Sequence, residues 1–282
     1  MNFRPITALT GAEVQGIDVR TVGPASFQQL RKALAHYKVL YIQNQHLDTE
    51  QLCTFSRGIG PLIRVPFIQP MEENADVIAV LKEADETNMG VFGGDWHSDF
   101  SFLPQPPMAS ILYSVEVPEA GGDTVWANMA AAYAALPEAT KAFLKDRQVI
   151  HTGKPYGTTH APPRKTRFTG SIQMDRNNPD ADKETVHPAV CRHPDTGEPM
   201  LFVSPTYTTR FSDLSEAQSE PVLNEIYAHS TQPEFTCRHR WQAGTIAMWD
   251  NRATMHCAMN DYDGYRRLLF RTTIAGHKPL AH

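Results

Sequence analysis

Cysteine is scarce in this sequence, and the four copies, Cys53, Cys191, Cys237 and Cys257, include no CxxC pair. A chain of 282 residues with so few does not read as a disulfide scaffold, and zinc-ribbon spacing is absent. No uninterrupted apolar run approaches the roughly 20 residues that a membrane helix requires. The opening stretch, MNFRPITALTGAEV, holds no continuous apolar segment of the signal-peptide kind. A protein of the reducing cytoplasm, away from membranes, is expected. Positive charge is not in excess either: 26 Lys plus Arg against 31 Asp plus Glu give a formal charge of −5. Nucleic acid and anionic membranes both select a clustered basic face, so neither is expected as a partner. Any positive potential must be local, inside a site. Internal repeats and Gly/Ser- or Pro-rich linkers are missing too, so residues 1–282 are expected to form one domain with a sizeable core.

What is present is a succession of short segments, punctuated by 21 prolines and 17 glycines. Residues 26–37 (SFQQLRKALAHY) read as a helix with Leu30, Leu34 and Tyr37 on one side. A β-rich run, 39–43, follows at once, and Asp48 is placed to cap a short helix reaching Phe55. Further β-branched runs occupy 77–81, 110–115, 186–190, 201–203, 245–249 and 268–274, with helices near 137–145 and 215–229. This pattern predicts a mainly β protein, an antiparallel double-sheet barrel with flanking helices. The polar, Pro-rich stretch 154–167 suggests a mobile cover over a site, spanning about residues 151–185.

The richest stretch is GGDWHSDFSF at 93–102. If it is a strand, His97 and Asp99 point to the same face and converge on one ion. A second histidine from another strand would complete a two-histidine, one-carboxylate facial triad, which leaves coordination positions open and suits Fe(II). Among 12 histidines, His256 has the best setting, in TIAMWDNRATMHCAM, where an apolar strand turns and restarts. His151, His160, His187 and His239 stay open as candidates. His193, His277 and His282 lie in Pro- and Gly-rich or terminal segments and read as surface residues. Cys257 would face away from its neighbour His256, and Trp96, Trp126 and Trp249 read as packing residues.

A bare HxD is weak evidence, but YRRLLFRTT at 265–273 strengthens it. As a strand it sets Arg267, Leu269 and Arg271 on one face and Arg266, Leu268 and Phe270 on the other. Two inward arginines make no sense as packing, because an unpaired buried cation is costly. They make sense beside bound carboxylates, which guanidinium forks grip bidentately. The plainer alternative is an exposed, salt-bridged strand. Gly121-Gly122-Asp123-Thr124 reads as a tight turn followed by a hydroxyl donor, Thr124.

In order and spacing, WHSDFSF, GGDT, WDNRATMH and the final RxxxR resemble the taurine dioxygenase family of Fe(II), 2-oxoglutarate-dependent enzymes, over nearly the whole chain. That family includes aryloxyalkanoate and alkylsulfatase dioxygenases. The resemblance implies a double-stranded β-helix (jelly-roll) core, Fe(II) held by His97, Asp99 and His256, and 2-oxoglutarate and O₂ as co-substrates. It implies that Thr124 and Arg267 hold the distal carboxylate of 2-oxoglutarate. Arg271 would lie near the C1 carboxylate and receive the acidic group of the substrate. Oxidative decarboxylation to succinate and CO₂ would then be coupled to hydroxylation of a small anionic substrate. Where the hydroxylated carbon bears a sulfonate, sulfate or aryloxy group, C–S or C–O cleavage follows. Asp99 argues against the related halogenases, which carry a small residue there.

Val65 and Ile68 stand where the taurine enzyme has a histidine and a tyrosine, Gly93 where it has an asparagine, and Tyr207 where it has a phenylalanine. These exchanges predict a larger, less polar pocket for an aryloxyalkanoate or an alkyl sulfate or sulfonate. Val65, Ile68 and Tyr207 are equally readable as core residues. A taurine-type sulfonate dioxygenase is one alternative. A zinc hydrolase on the same three ligands is another, though it gives no reason for Arg267, Arg271 and Thr124 together. A homo-oligomer, dimer or tetramer, is expected.

Overall fold

In the computed structural model, residues 1–159 and 171–282 are described. A seven-stranded sheet dominates, ordered Asn2–Pro5, Ala12–Gln15, Val39–Ile42, Ile246–Asp250, Ala109–Glu116, Arg267–Ile274 and Ile78–Lys82. Facing it are smaller sheets. One joins Thr236–His239, Thr124–Asn128 and Thr254–Ala258, and another joins Thr208–Phe211, Gln148–His151 and Thr185–Pro188. This is the jelly-roll expected from the sequence.

Period-two alternation makes the large sheet apolar on both faces. Val39, Tyr41, Leu112, Ala247, Trp249 and Leu269 point into the space between the sheets, where they meet Trp126, Tyr156 and Tyr207. Their neighbours Leu40, Ile42, Ile111, Tyr113, Ile246 and Met248 point the other way. There they are covered by Leu30 and Leu34 of the helix Pro24–Tyr37 and by Leu52, Phe55 and Ile59 of the helix Thr49–Ile59. Asp48 caps the second helix in a full capping box with Gln51. This helix runs four residues past the expected Phe55, because Ser56 and Ile59 continue its buried stripe. Gly58 lies within it because the two helices touch there: a Cβ would fall 2.1 Å from the Phe27 ring.

The run expected as one strand at 186–190 is split. Thr185–Pro188 pairs with Gln148–His151, and Val190–Arg192 pairs with Pro199–Leu201. No helix among the described residues is long and apolar enough to cross a membrane. The cover expected at about 151–185 is bounded by a strand pair. His151 is fully buried and is the strand partner of the half-buried Thr185. Residues 160–170, within that expectation, lie outside the described part, as does His160.

Candidate active site

His97 and His256 form an isolated antiparallel bridge, with reciprocal backbone bonds of 3.0 and 2.8 Å. Directly opposed residues present their side chains to the same face, and the two imidazoles lie 4.1 Å apart between centroids. The expected strand at 93–102 is not formed: His97 is a one-residue bridge, and Asp99 begins a turn in which Phe100 has φ +48°. That turn brings the Asp99 carboxylate back beneath the imidazoles. Asp99 Oδ1 lies 3.5 Å from His97 Nε2 and 3.8 Å from His256 Nε2. His97 Nδ1 sits 2.7 Å from the Asp95 carbonyl, which can only accept, so Nδ1 carries the proton and Nε2 presents a lone pair. The three side chains are buried, with ligand atoms all within 4.8 Å of one another. Three converging N/O donors of this kind fit a divalent iron.

The electrostatics agree with that donor set. Burial alone would raise the Asp99 pKa. Arg271, and then His256 and His97, outweigh it and hold the carboxyl well below its ordinary range. Burial, helped by neighbouring His97, pushes His256 well below the usual histidine value, so its imidazole is neutral. The two Asp99 oxygens are divided in their work. Oδ1 faces the imidazoles, while Oδ2 accepts from Ser110 Oγ at 2.7 Å and pairs with Arg271 at 2.9 Å. Arg271 also donates to Ser110 Oγ at 3.1 Å. Asn251 supports Ser110 at 2.9 Å and is itself fixed by the Trp249 indole at 2.7 Å. Sequence reasoning missed Ser110 and Asn251. The available signal was a hydroxyl on the inward register of the apolar strand ASILYSVE.

Arg267 and Arg271 both point inward from Arg267–Ile274, which alternates as expected, while Arg266 pairs with Glu83 and Glu116 outside. The salt-bridged surface alternative therefore describes Arg266 alone. Arg267 is 5% exposed and pairs with no carboxylate among the described residues. It lies in an aromatic slot, its guanidinium 5.8 Å from the Trp241 ring and 5.7 Å from Tyr262, and burial lowers its pKa. Trp241 donates to Thr124 Oγ1 at 3.0 Å, which leaves the threonine proton free to donate onward. The Gly121-Gly122 turn has both φ values positive, and a Cβ on Gly122 would fall 3.1 Å from Arg267 Cδ and Nε. The turn therefore makes room for the guanidinium. Trp241, another residue not singled out from sequence, links Thr124 to Arg267.

An open cavity of about 510 Å³ leads to His97. Gly93 and Tyr207 line it, and a Cβ on Gly93 would fall 3.1 Å from His97 Cε1. Val65 and Ile68 do not line it. They belong to the core with Phe100, Phe102 and Tyr156, and border a cavity of about 50 Å³ that reaches Arg271. The other candidate histidines among the described residues are structural. His151 contacts Ser101 at 3.0 Å, His187 donates to the Leu103 carbonyl at 3.0 Å, and His239 stacks on Tyr41. His277 and His282 are exposed, as expected, but His193 is not. It is fully buried, accepting from the Asp195 and Thr196 amides and donating to Asp250 at 3.0 Å. The turn around it folds inward to fill those bonds. Cys257 donates to the Gly94 carbonyl, away from the imidazoles.

The sequence model for the family described as Taurine catabolism dioxygenase TauD, TfdA family matches residues 2–273. The chain belongs to that family. An alkylsulfatase of Acinetobacter baylyi is 33% identical over 280 residues, covering 98% of this chain and 85% of the relative. An alpha-ketoglutarate-dependent sulfate ester dioxygenase of Pseudomonas putida is 33% identical over 290 residues, covering 99% and 91%. The crystal structure of a taurine dioxygenase from Burkholderia xenovorans superposes with a TM-score of 0.82 at 31% identity, covering 99% of this chain and 92% of that one. This TauD/TfdA-family chain is an Fe(II)- and 2-oxoglutarate-dependent dioxygenase that uses O₂. That removes the zinc hydrolase alternative.

Proposed function

We propose that His97, Asp99 and His256 hold the Fe(II), that Arg267 and Thr124 seat the distal carboxylate of 2-oxoglutarate, and that Arg271 stands at its keto-acid end. We take residues 1–282 to act as one catalytic unit whose substrate is a small organic acid with an apolar body, foremost an alkyl sulfate ester. The observation that carries this reading is Arg267, a buried guanidinium without a carboxylate partner among the described residues, in the same fold interior as a two-histidine, one-carboxylate cluster. Desolvating a cation costs several kcal/mol, and a dicarboxylate co-substrate offsets that cost on binding. The relatives named for sulfate esters support the substrate class, as does a cavity lined by Val91, Phe92, Trp96, Met174 and Pro205.

Bound Fe(II) supplies the oxygen chemistry. The protein groups supply position and charge. Neutral His256 and the Nε2 lone pair of His97 offer two nitrogen donors, and Asp99 stays ionised through Arg271 and Ser110. The aromatic slot holds Arg267 rigid, so carboxylate binding orders little that is not already fixed. For an alkyl sulfate the overall reaction balances as follows. O₂ delivers one atom to succinate and one to the carbon bearing the ester oxygen, CO₂ leaves, and the α-hydroxy ester breaks its C–O bond to give an aldehyde and hydrogen sulfate. The test is oxygen uptake with hexyl sulfate. Consumption that requires both Fe(II) and 2-oxoglutarate, with matching release of succinate and sulfate, is expected. Sulfate release without oxygen consumption would overturn the reading.

A further inference from the structure

Asn251 sits in the turn between Ile246–Asp250 and Thr254–Ala258, carries no charge and touches none of the three ligand side chains. It is nevertheless 2% exposed, and each of its four polar atoms has a partner. Its backbone N–H donates to the Met108 carbonyl at 2.9 Å, and its carbonyl accepts from Ser98 Oγ at 2.6 Å. Its Nδ2 donates to Ser110 Oγ at 2.9 Å, and its Oδ1 accepts from the Trp249 indole at 2.7 Å. Three of these partners lead to the metal cluster. Ser98 stands between His97 and Asp99, Ser110 holds Asp99, and the Trp249 ring lies 4.7 Å from that of His256.

The sense of each bond follows from the groups themselves. An indole N–H can only donate, so the Asn251 atom that faces Trp249 is the oxygen, and the amide nitrogen faces Ser110. Arg271, 3.1 Å from Ser110 Oγ, can only donate as well. Ser110 therefore receives two donors and keeps one proton, which Asp99 Oδ2 accepts at 2.7 Å. A one-way chain results, from Trp249 through Asn251 and Ser110 to Asp99, and all four residues are buried. With Oδ2 engaged by Ser110 and Arg271, Oδ1 is the oxygen turned to the imidazoles. The two ligand-bearing stretches lie far apart in sequence, 153 residues between Ser98 and Asn251. The backbone bridge of His97 with His256 aligns the two imidazoles, but Asp99 lies beyond it on a turn. The rotation of the carboxylate needs its own restraint, and this chain provides one.

We infer that Asn251 is a positioning residue of the metal centre. Acting through Ser110, it fixes the rotation of the Asp99 carboxylate and thereby sets how tightly the three ligands hold a divalent ion. This rests on the assignment of His97, Asp99 and His256 as ligands and adds to it a residue that touches none of them. Its backbone bonds tie the turn to Ser98 and Met108, and its side chain carries the restraint to the carboxylate.

The test is titration of the metal-free protein with Co(II), followed by calorimetry and by the visible absorption bands of the bound ion. It uses wild type, Asn251→Ala, Ser110→Ala and the double variant, each checked for native circular dichroism and thermal midpoint. Removing an outer partner of a metal ligand weakens binding about tenfold to a hundredfold. Asn251→Ala and Ser110→Ala are each expected to lose that much and to alter the Co(II) bands. The double variant should bind within about twofold of the weaker single one, because both act on Asp99 by one route. Wild-type Co(II) affinity and bands in Asn251→Ala, beside a lowered thermal midpoint, would make Asn251 a structural turn residue and overturn the inference. Losses that add in full in the double variant overturn the route through Ser110. Should Asn251→Ala not fold, the smaller change Ser110→Ala decides, and unchanged binding there overturns the inference as well. The underlying assignment is read separately: if wild type takes up no Co(II), or His97→Ala takes it up as tightly, the ligand set itself has failed.

Discussion

Replacing Arg267 by methionine should move stability and co-substrate affinity in different directions. Most buried ions break a pair when removed, at about 3–5 kcal/mol. Arg267 has no carboxylate partner among the described residues and is only 5% exposed. Its loss removes a desolvated charge and forfeits the contacts with Trp241 and Tyr262, worth about 0.5–2 kcal/mol. Methionine refills much of the aromatic slot, so the folded protein without co-substrate should change by no more than about 1 kcal/mol in either direction. Binding is another matter. Two charge-assisted bonds to a carboxylate, at about 1.5–3 kcal/mol each, make about 3–6 kcal/mol, or a hundredfold to ten-thousandfold weaker 2-oxoglutarate binding. Chemical denaturation with and without 2-oxoglutarate, together with calorimetric titration of the anaerobic Fe(II) protein, measures both quantities. A variant that is several kcal/mol less stable yet binds 2-oxoglutarate normally would refute the assignment and make Arg267 a structural residue.

Asp99→Asn should destabilise the metal-free protein by about 3–5 kcal/mol, because it strands the Arg271 charge. Adding Arg271→Met should restore most of that loss, and a double-mutant cycle by urea denaturation checks it. His239, pushed down to about 4 by burial, is neutral in the fold. The unfolded chain, with its histidine near 6.5, binds more protons between those values, so stability should fall as pH drops from about 6.5 to 4, by up to about 3 kcal/mol. Denaturation midpoints across that range should flatten in His239→Phe; an unchanged slope would clear His239 of the effect. Gly58→Ala forces a Cβ to 2.1 Å from the Phe27 ring and should cost about 1–3 kcal/mol. Pairing it with Phe27→Ala should remove the clash, and thermal midpoints of the two variants show whether it does.

The elements were legible where periodicity ran long enough. The helix expected at 26–37 and the strand expected at 268–274 follow from spacing and start only one or two residues earlier in the fold, whereas spacing put Arg267 and Arg271 on one face without fixing that face as the inner one. The metal cluster was legible as residue types but not as geometry. His97 and Asp99 converge through a bridge and a turn with a positive φ at Phe100, a conformation that no alternation pattern announces. His193 was misread for a related reason: its Pro- and Gly-rich surroundings signal a turn, and a turn is ordinarily outside. Here Asp250 and two backbone amides draw the ring into the interior. Val65 and Ile68 were assigned by alignment to substrate, yet their aliphatic side chains are held by the core against Phe100 and Tyr156. The parts played by Ser110 and Trp241 needed three dimensions, since each acts on partners more than ten residues away in the chain.

Because His151 and Thr185 are strand partners, the described part of the intervening chain, 152–159 and 171–184, is tied to the barrel at adjacent points, and again where 173–175 meets 67–69. Lys154, Tyr156, Met174 and Arg176 all ride on it, whereas His97, Asp99, His256 and Arg267 belong to the framework beneath. Part of the cavity wall is thus carried on a different length of chain from the metal cluster, while Phe92, Gly93 and Trp96 lie beside His97 in the sequence. Transplanting residues 152–184 between relatives should therefore change one wall of the cavity and leave His97, Asp99 and His256 in place.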